Sequence, residues 1–227
     1  MLKVFKNVSW TPEQRVFLAL GAAHIVSVVL FLARSAEASN PRYWFLLWNA
    51  VLGALPLGFA WWLHLRLQTM RWLRWQNVLL TFLWLSFLPN SFYIVSDLIH
   101  LHQTGEVSLL YDAVMFTMFI VNGFFAGFIS VFLIHAQLLR RIPAAIAHSL
   151  IGGVFLLSGF AIYLGRMLRW NSWDIFLHPA AILFDVSNQF ITPANQGLFG
   201  TTLSVFLLLS STYVIAWFLV KLIRQKN

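Results

Sequence analysis

Long apolar runs separated by short polar breaks set the pattern of this chain. A run of about 18 or more apolar residues with few charges is long enough to cross a bilayer as a helix. Six candidates stand out, at Val16–Ala33, Trp44–Leu65, Val78–Phe92, Ala113–Ile134, Ile146–Gly165 and Thr201–Val220. The third is interrupted by Pro89, which suits a helix's first turn better than its interior. The pattern therefore predicts a break near Leu88 and a new helical piece from about Asn90 to Leu101. Before the last span, "HPAAILFDVSNQFITPANQG" is too short and too polar to cross, and reads as an interfacial or re-entrant segment that can cover the outer face. The expected fold is all-α: a polytopic membrane protein of about six transmembrane helices, with a broken third helix. Six spans in 227 residues leave room only for a single integral membrane domain, 1–227.

Composition agrees. Hydrophobic residues make up 60% and charged residues 10%, against roughly 25% charged in a soluble domain. The net charge of +8 could suggest nucleic acid, but no groove of interleaved basic and aromatic residues supports that partner. The charge follows topology instead. With a cytoplasmic N-terminus, the inner segments hold Lys3, Lys6, Arg15, Arg66, Arg71, Arg74, Arg140, Arg141, Lys221, Arg224 and Lys226, which is 11 of the 15 basic residues. Short cytoplasmic loops collect Lys and Arg, so both termini are expected on the cytoplasmic side of the membrane, with membrane lipids as partners. Only Arg34, Arg42, Arg166 and Arg169 fall outside, with every acidic residue except Glu13. The absence of cysteine excludes disulfides, thiolate nucleophiles and Cys-ligated metal or iron–sulfur centres. Ala36-Glu37-Ala38 has the form of a signal-peptide cleavage site. The apolar core before it is longer than the usual h-region, which favours an uncleaved anchor.

Three polar clusters gather on the outer side. In "FLPNSFYIVSDLIHLH", Asn90, Tyr93, Asp97 and His100 are spaced 3, 4 and 3, which puts them on one helical face. A polar stripe on an apolar rod must face protein or trapped water. In "YDAVMFTMFIVNGFFAGFIS", Asp112 opens the fourth span. Asn122, Gly123, Gly127 and Ser130 make a small-residue face there, and the Gly123/Gly127 pair is a packing seam for another helix, of this chain or of an oligomer partner. Asn122 fits an interhelical hydrogen bond as well as a ligand contact. In "YLGRMLRWNSWDIFLHP", Arg166 and Arg169 run against the positive-inside trend. They suit snorkelling to the interface, an ion pair with Asp97 or Asp112, or a fork for phosphate or carboxylate. Asn171 or Ser172 can cap the helix that follows, with Asp174 in its first turn.

These strings, in this order, resemble the bacterial multi-pass membrane family catalogued as domain of unknown function 1361. The resemblance runs from about Val78 to Pro179, over "LPN", Tyr93, "SDLIHL", "YD" at Tyr111-Asp112, and "GRMLRWNSWD". Phe92 stands where the family usually has proline, and Ser96 where it usually has threonine. The resemblance implies membership and marks Asn90, Asp97, His100, Asp112, Arg166, Arg169, Asn171 and Asp174 as the signature. The family has no established activity, so it implies no reaction.

Three functional readings fit. The first is a membrane enzyme or head-group-binding protein acting on a lipid or envelope intermediate. Asp97, His100 and Asp112 would be its catalytic groups, and Arg166, Arg169, Asn90, Tyr93, Asn171 and Asp174 its substrate contacts. No cofactor is specified, but Asp97, His100, Asp112 and Asp174 are candidate ligands for a divalent metal ion. The second is a small transporter or ion-conducting protein. The polar groups crowd one side, whereas carriers bind near the midplane. The third is an accessory or scaffold protein whose polar groups make a structural network.

Overall fold

The computed structural model describes residues 11–191 and 196–226. The expected basic positions Lys3 and Lys6 lie outside the described residues, as do residues 192–195 of the segment before the last span. Among the described residues there are eight α-helices and no strand. Helix α1 (Pro12–Glu37) is capped by Thr11, whose hydroxyl accepts from the Gln14 amide while the Gln14 side chain accepts from the Thr11 amide. There follow α2 (Phe45–Arg66), α3 (Trp75–Tyr93), a 3-10 helix (Ile94–His100), α4 (Leu109–Leu139), α5 (Ala144–Met167), α6 (Asp174–Leu177), α7 (Pro179–Ile191) and α8 (Gln196–Lys226). Six helices among the described residues are long and apolar enough to cross a membrane, as the hydrophobic pattern predicts. We call the end carrying both the start of α1 and the end of α8 proximal, and the opposite end distal.

The third span is not broken where the sequence suggested. Helix α3 continues through Pro89 to Tyr93 and only then tightens into the 3-10 helix. Proline removes the hydrogen bond that the Leu85 carbonyl would otherwise accept. Leu85 and Pro89 both line a cavity, so the gap in the ladder falls on an open wall. The tightening comes four residues later, where the Ser96 hydroxyl donates to the Tyr93 carbonyl at 2.7 Å and competes with regular helix.

Two aromatic-rich cores hold the bundle. One joins α2 to α5 and α8 around Trp84, Leu88, Phe92, Phe155 and Tyr213. The other fills the distal end around Phe31, Tyr43, Ile94, Phe116 and Phe119. Between them, the end of α3 is clamped by small residues. The Ser91 hydroxyl donates to the Gly53 carbonyl at 2.6 Å on the α2 side. On the α4 side, a Cβ at Gly123 would sit 2.5 Å from the Ser91 carbonyl oxygen, and one at Gly127 would sit 2.6 Å from the Phe92 ring. The Gly123/Gly127 seam is thus spent inside the chain, on α3. Both glycines are buried, so neither presents the outward face that an oligomer or partner contact would need.

The ambiguous Asn122 bonds to α1, donating to the Ser27 hydroxyl at 2.8 Å and the Ala23 carbonyl at 3.0 Å. Ser130 accepts from the Trp84 indole at 3.0 Å. Both polar positions of α4 therefore serve helix packing.

Candidate functional site

The clamped end of α3 directs the polar stripe inward. Asn90, Tyr93, Asp97 and His100 all line one cavity of about 640 Å³ between α2, α3, α5 and the distal chain that follows α5. In a 3-10 helix residues three apart eclipse one another, so Asp97 and His100 stand in one column. Apolar walls come from Phe45, Trp48, Phe82, Leu157 and Phe160, and α7 closes one side with Ile182.

The polar end of this cavity is a bonded set. Asp97 is 2% exposed. One of its oxygens accepts from the Asn49 side-chain amide at 2.7 Å, and the other lies 3.7 Å from Arg166 Nη1. Arg166 also donates to the Tyr93 hydroxyl at 3.4 Å and to the Ser96 carbonyl. Its Nε–H is buried and has no protein partner among the described residues. Gly165 lets α5 come this close, because a Cβ there would meet the Tyr93 ring at 3.2 Å and the Trp170 carbonyl at 3.3 Å. His100 is exposed, with its ring edge-on to Phe45 at 5.1 Å. A guanidinium, a carboxyl and an imidazole at one end of an apolar pocket can hold an acceptor-rich group and move a proton.

The loop after α5 is fastened across the cavity. The Asn90 side chain donates to the Ser172 hydroxyl at 2.7 Å, and the Trp170 indole donates to Asp185 on α7 at 3.0 Å. Asn171 lines the cavity. Asp174 does not. It accepts from the Asn171 amide at 2.7 Å, so it holds the turn before α6, whose N-cap is Trp173 rather than Asn171 or Ser172. Arg169 also lies outside the lining, exposed in the left-handed conformation with φ of 59°.

Asp112 belongs to a different structure. It is 1% exposed and accepts from Arg34 Nε at 3.1 Å. Arg34, whose side chain is fully buried, also donates to Glu106 at 2.9 Å, and Arg42 donates to the same carboxylate at 2.7 Å. The Arg34 guanidinium lies 4.7 Å over the Tyr43 ring. These groups form a clasp joining α1, the chain before α4 and the first turn of α4. Of the candidate residues Asp97, His100, Asp112, Arg166 and Asp174, three meet in this cavity, while Asp112 and Asp174 are held elsewhere. Among the described residues no three His, Asp or Glu side chains gather as a metal site would need, so the four candidate metal ligands do not converge.

Sequence reasoning missed Asn49 and the clasp partner Arg34. Asn49 is a lone amide inside an apolar span, and intramembrane polar residues usually face a partner. That signal was present in the sequence.

The fold and the site together define a multi-pass α-helical membrane protein with a polar-ended cavity opening among its distal helices. The family model described as "Protein of unknown function (DUF1361)" matches residues 48–214, and the chain belongs to that family. The matched stretch contains every residue lining the polar end of the cavity. No curated protein and no solved structure matches the chain.

Proposed function

We propose that this protein binds the head group of an anionic amphiphile in the distal cavity, with Asp97 and His100 placed to transfer a proton on it. One observation carries the reading. Arg166 donates to the Tyr93 hydroxyl and the Ser96 carbonyl, yet keeps its buried Nε–H unpartnered at the polar end of an apolar pocket of about 640 Å³. A phosphate ester or carboxylate supplies the acceptor that this donor lacks. The apolar walls suit an acyl or polyprenyl chain, so a lipid or lipid-linked envelope intermediate is the substrate class.

The test is the amphiphile that copurifies with the protein, extracted and identified by mass spectrometry. Arg166→Gln is expected to lower its content tenfold or more, the effect of losing one charge-assisted hydrogen bond of about 1.5–3 kcal/mol. Asp97→Asn keeps the carboxyl's shape and is expected to keep the ligand while abolishing turnover. Equal amphiphile in wild type and Arg166→Gln, or collapse of both variants in a thermal melt, would instead assign these groups to a structural network.

We further propose a bacterial cytoplasmic membrane location with both termini cytoplasmic, which makes the distal cavity extracytoplasmic. The skewed distribution of basic residues supports it. A Gln103→Cys variant, in the chain between the 3-10 helix and α4, should then label with a membrane-impermeant thiol reagent in intact cells. Labelling only after lysis reverses the orientation.

A further inference from the structure

The proximal end holds a second cavity, of about 280 Å³, between α4, α5 and α8. Its polar groups form a directed chain. His135 Nδ1 lies 3.0 Å from the Tyr213 hydroxyl, and His135 Nε2 lies 3.0 Å from His148 Nδ1. Tyr213 is 5% exposed, and its hydroxyl meets no other hydrogen-bond partner among the described residues. A buried hydroxyl proton needs an acceptor, and His135 Nδ1 is the acceptor at hand. When both rings are neutral, that sets their tautomers. Tyr213 donates to His135 Nδ1, His135 Nε2–H donates to His148 Nδ1, and His148 presents its Nε2–H as a donor. His148 is exposed, so the donor lies at the surface end of the chain. Trp217 locks His135 in place by stacking on it, with ring centroids 4.3 Å apart.

A cation shares this cavity. Lys221 lines the same cavity, with its Nζ 5.5 Å from the Trp217 ring centroid. Among the described residues it forms no ion pair with a carboxylate. All acidic residues of the chain except Glu13 lie on the distal side or in the chain flanking it, and no acidic residue lines the cavity. Ser210 also lines the pocket, but its hydroxyl donates to the Phe206 carbonyl at 2.6 Å; the rest of the lining is apolar and includes Gly152, where an added Cβ would meet nothing within 4 Å.

A fixed N–H donor, an unpaired ammonium and an apolar trough at a membrane boundary match the head group and first acyl carbons of a phospholipid. We infer that this cavity is a binding site for an anionic phospholipid, with the phosphate held between Lys221 and His148 and an acyl chain laid over Gly152. The site is separate from the distal cavity and does not depend on the function proposed for it.

The full-length protein in detergent, titrated with equal amounts of phosphatidylglycerol and phosphatidylcholine and read by native mass spectrometry, tests this. Wild type should retain phosphatidylglycerol preferentially. Lys221→Gln should reduce that preference about fivefold, the worth of one lysine at a lipid surface. Gly152→Leu fills the trough and should reduce retention of both lipids. Circular dichroism melts confirm that each variant is folded. An undiminished preference in folded Lys221→Gln, or undiminished retention of both lipids in folded Gly152→Leu, overturns the proposal. So does competition by millimolar inorganic phosphate with no effect of Gly152→Leu, which assigns the site to a free anion.

Discussion

Replacing Arg34 with methionine is expected to destabilise the protein by about 3–5 kcal/mol, because it strands a buried carboxylate without its partner. Asp112 is 1% exposed and one of its oxygens already has no hydrogen bond, so the Arg34 contact is what offsets its burial. The double variant Arg34→Met, Asp112→Leu should recover most of the loss, since a buried ion pair and a well-packed apolar pair are often similar in stability. Thermal melts of the two purified variants decide the matter. An Arg34→Met protein as stable as wild type would show that the clasp contributes nothing. The clasp also predicts an acid response. The Arg42 hydrogen bond, with Arg34 in support, holds the Glu106 carboxyl below its ordinary value of 4.5. A carboxylate with a depressed folded value stabilises the fold above its unfolded value and loses that contribution as pH falls through the folded one. The melting temperature should therefore be insensitive to Glu106 at neutral pH and fall below about pH 4.5. Glu106→Gln should remove that part of the acid slope.

Gly123→Ala is expected to cost about 1–3 kcal/mol, as overpacking of a tight seam does. The added methyl would meet the Ser91 carbonyl oxygen at 2.5 Å. That obstacle is backbone, and a rotamer change cannot relieve it. Gly21→Ala provides the contrast, since its Cβ would meet nothing within 4 Å, and it should be neutral or slightly stabilising. Because Ser91 sits between Asn90 and Phe92, the Gly123 variant should also loosen the distal cavity and lower amphiphile retention along with stability. Equal melting temperatures for the two alanine variants would show that α3 and α4 pack less closely than described.

Much of this architecture was legible in the sequence, for an identifiable reason. Apolar length reports a membrane span directly, because lipid admits little else, and the six spans emerge near their true bounds. Periodicity also placed the polar stripe correctly. Asn90, Tyr93, Asp97 and His100 face one cavity although the chain passes from α-helix to 3-10 helix between Tyr93 and Ile94, since spacings of three and four survive that change. Pro89 misled because a proline's effect depends on what its freed carbonyl faces, which is tertiary information. The pairing of charges was illegible for the same reason. Arg166 and Arg34 looked equivalent as distal arginines, and nothing local assigned Asp97 to one and Asp112 to the other. Asp174 looked like part of a site because it lies in a signature string, but its short reach commits it to the Asn171 amide three residues away.

Arg34 and Asp112 are 78 residues apart in the chain. At a synthesis rate of roughly 5–20 residues per second, Asp112 emerges about 4–16 s after Arg34. During that interval α1 has entered the membrane with its cation unanswered, and Asn122, which later bonds to Ser27, has also not been made. The distal end of α1 must wait in contact with water, its guanidinium extended toward the head groups. The clasp can close only once α4 has been delivered, so α1 is fastened to the bundle well after it arrives.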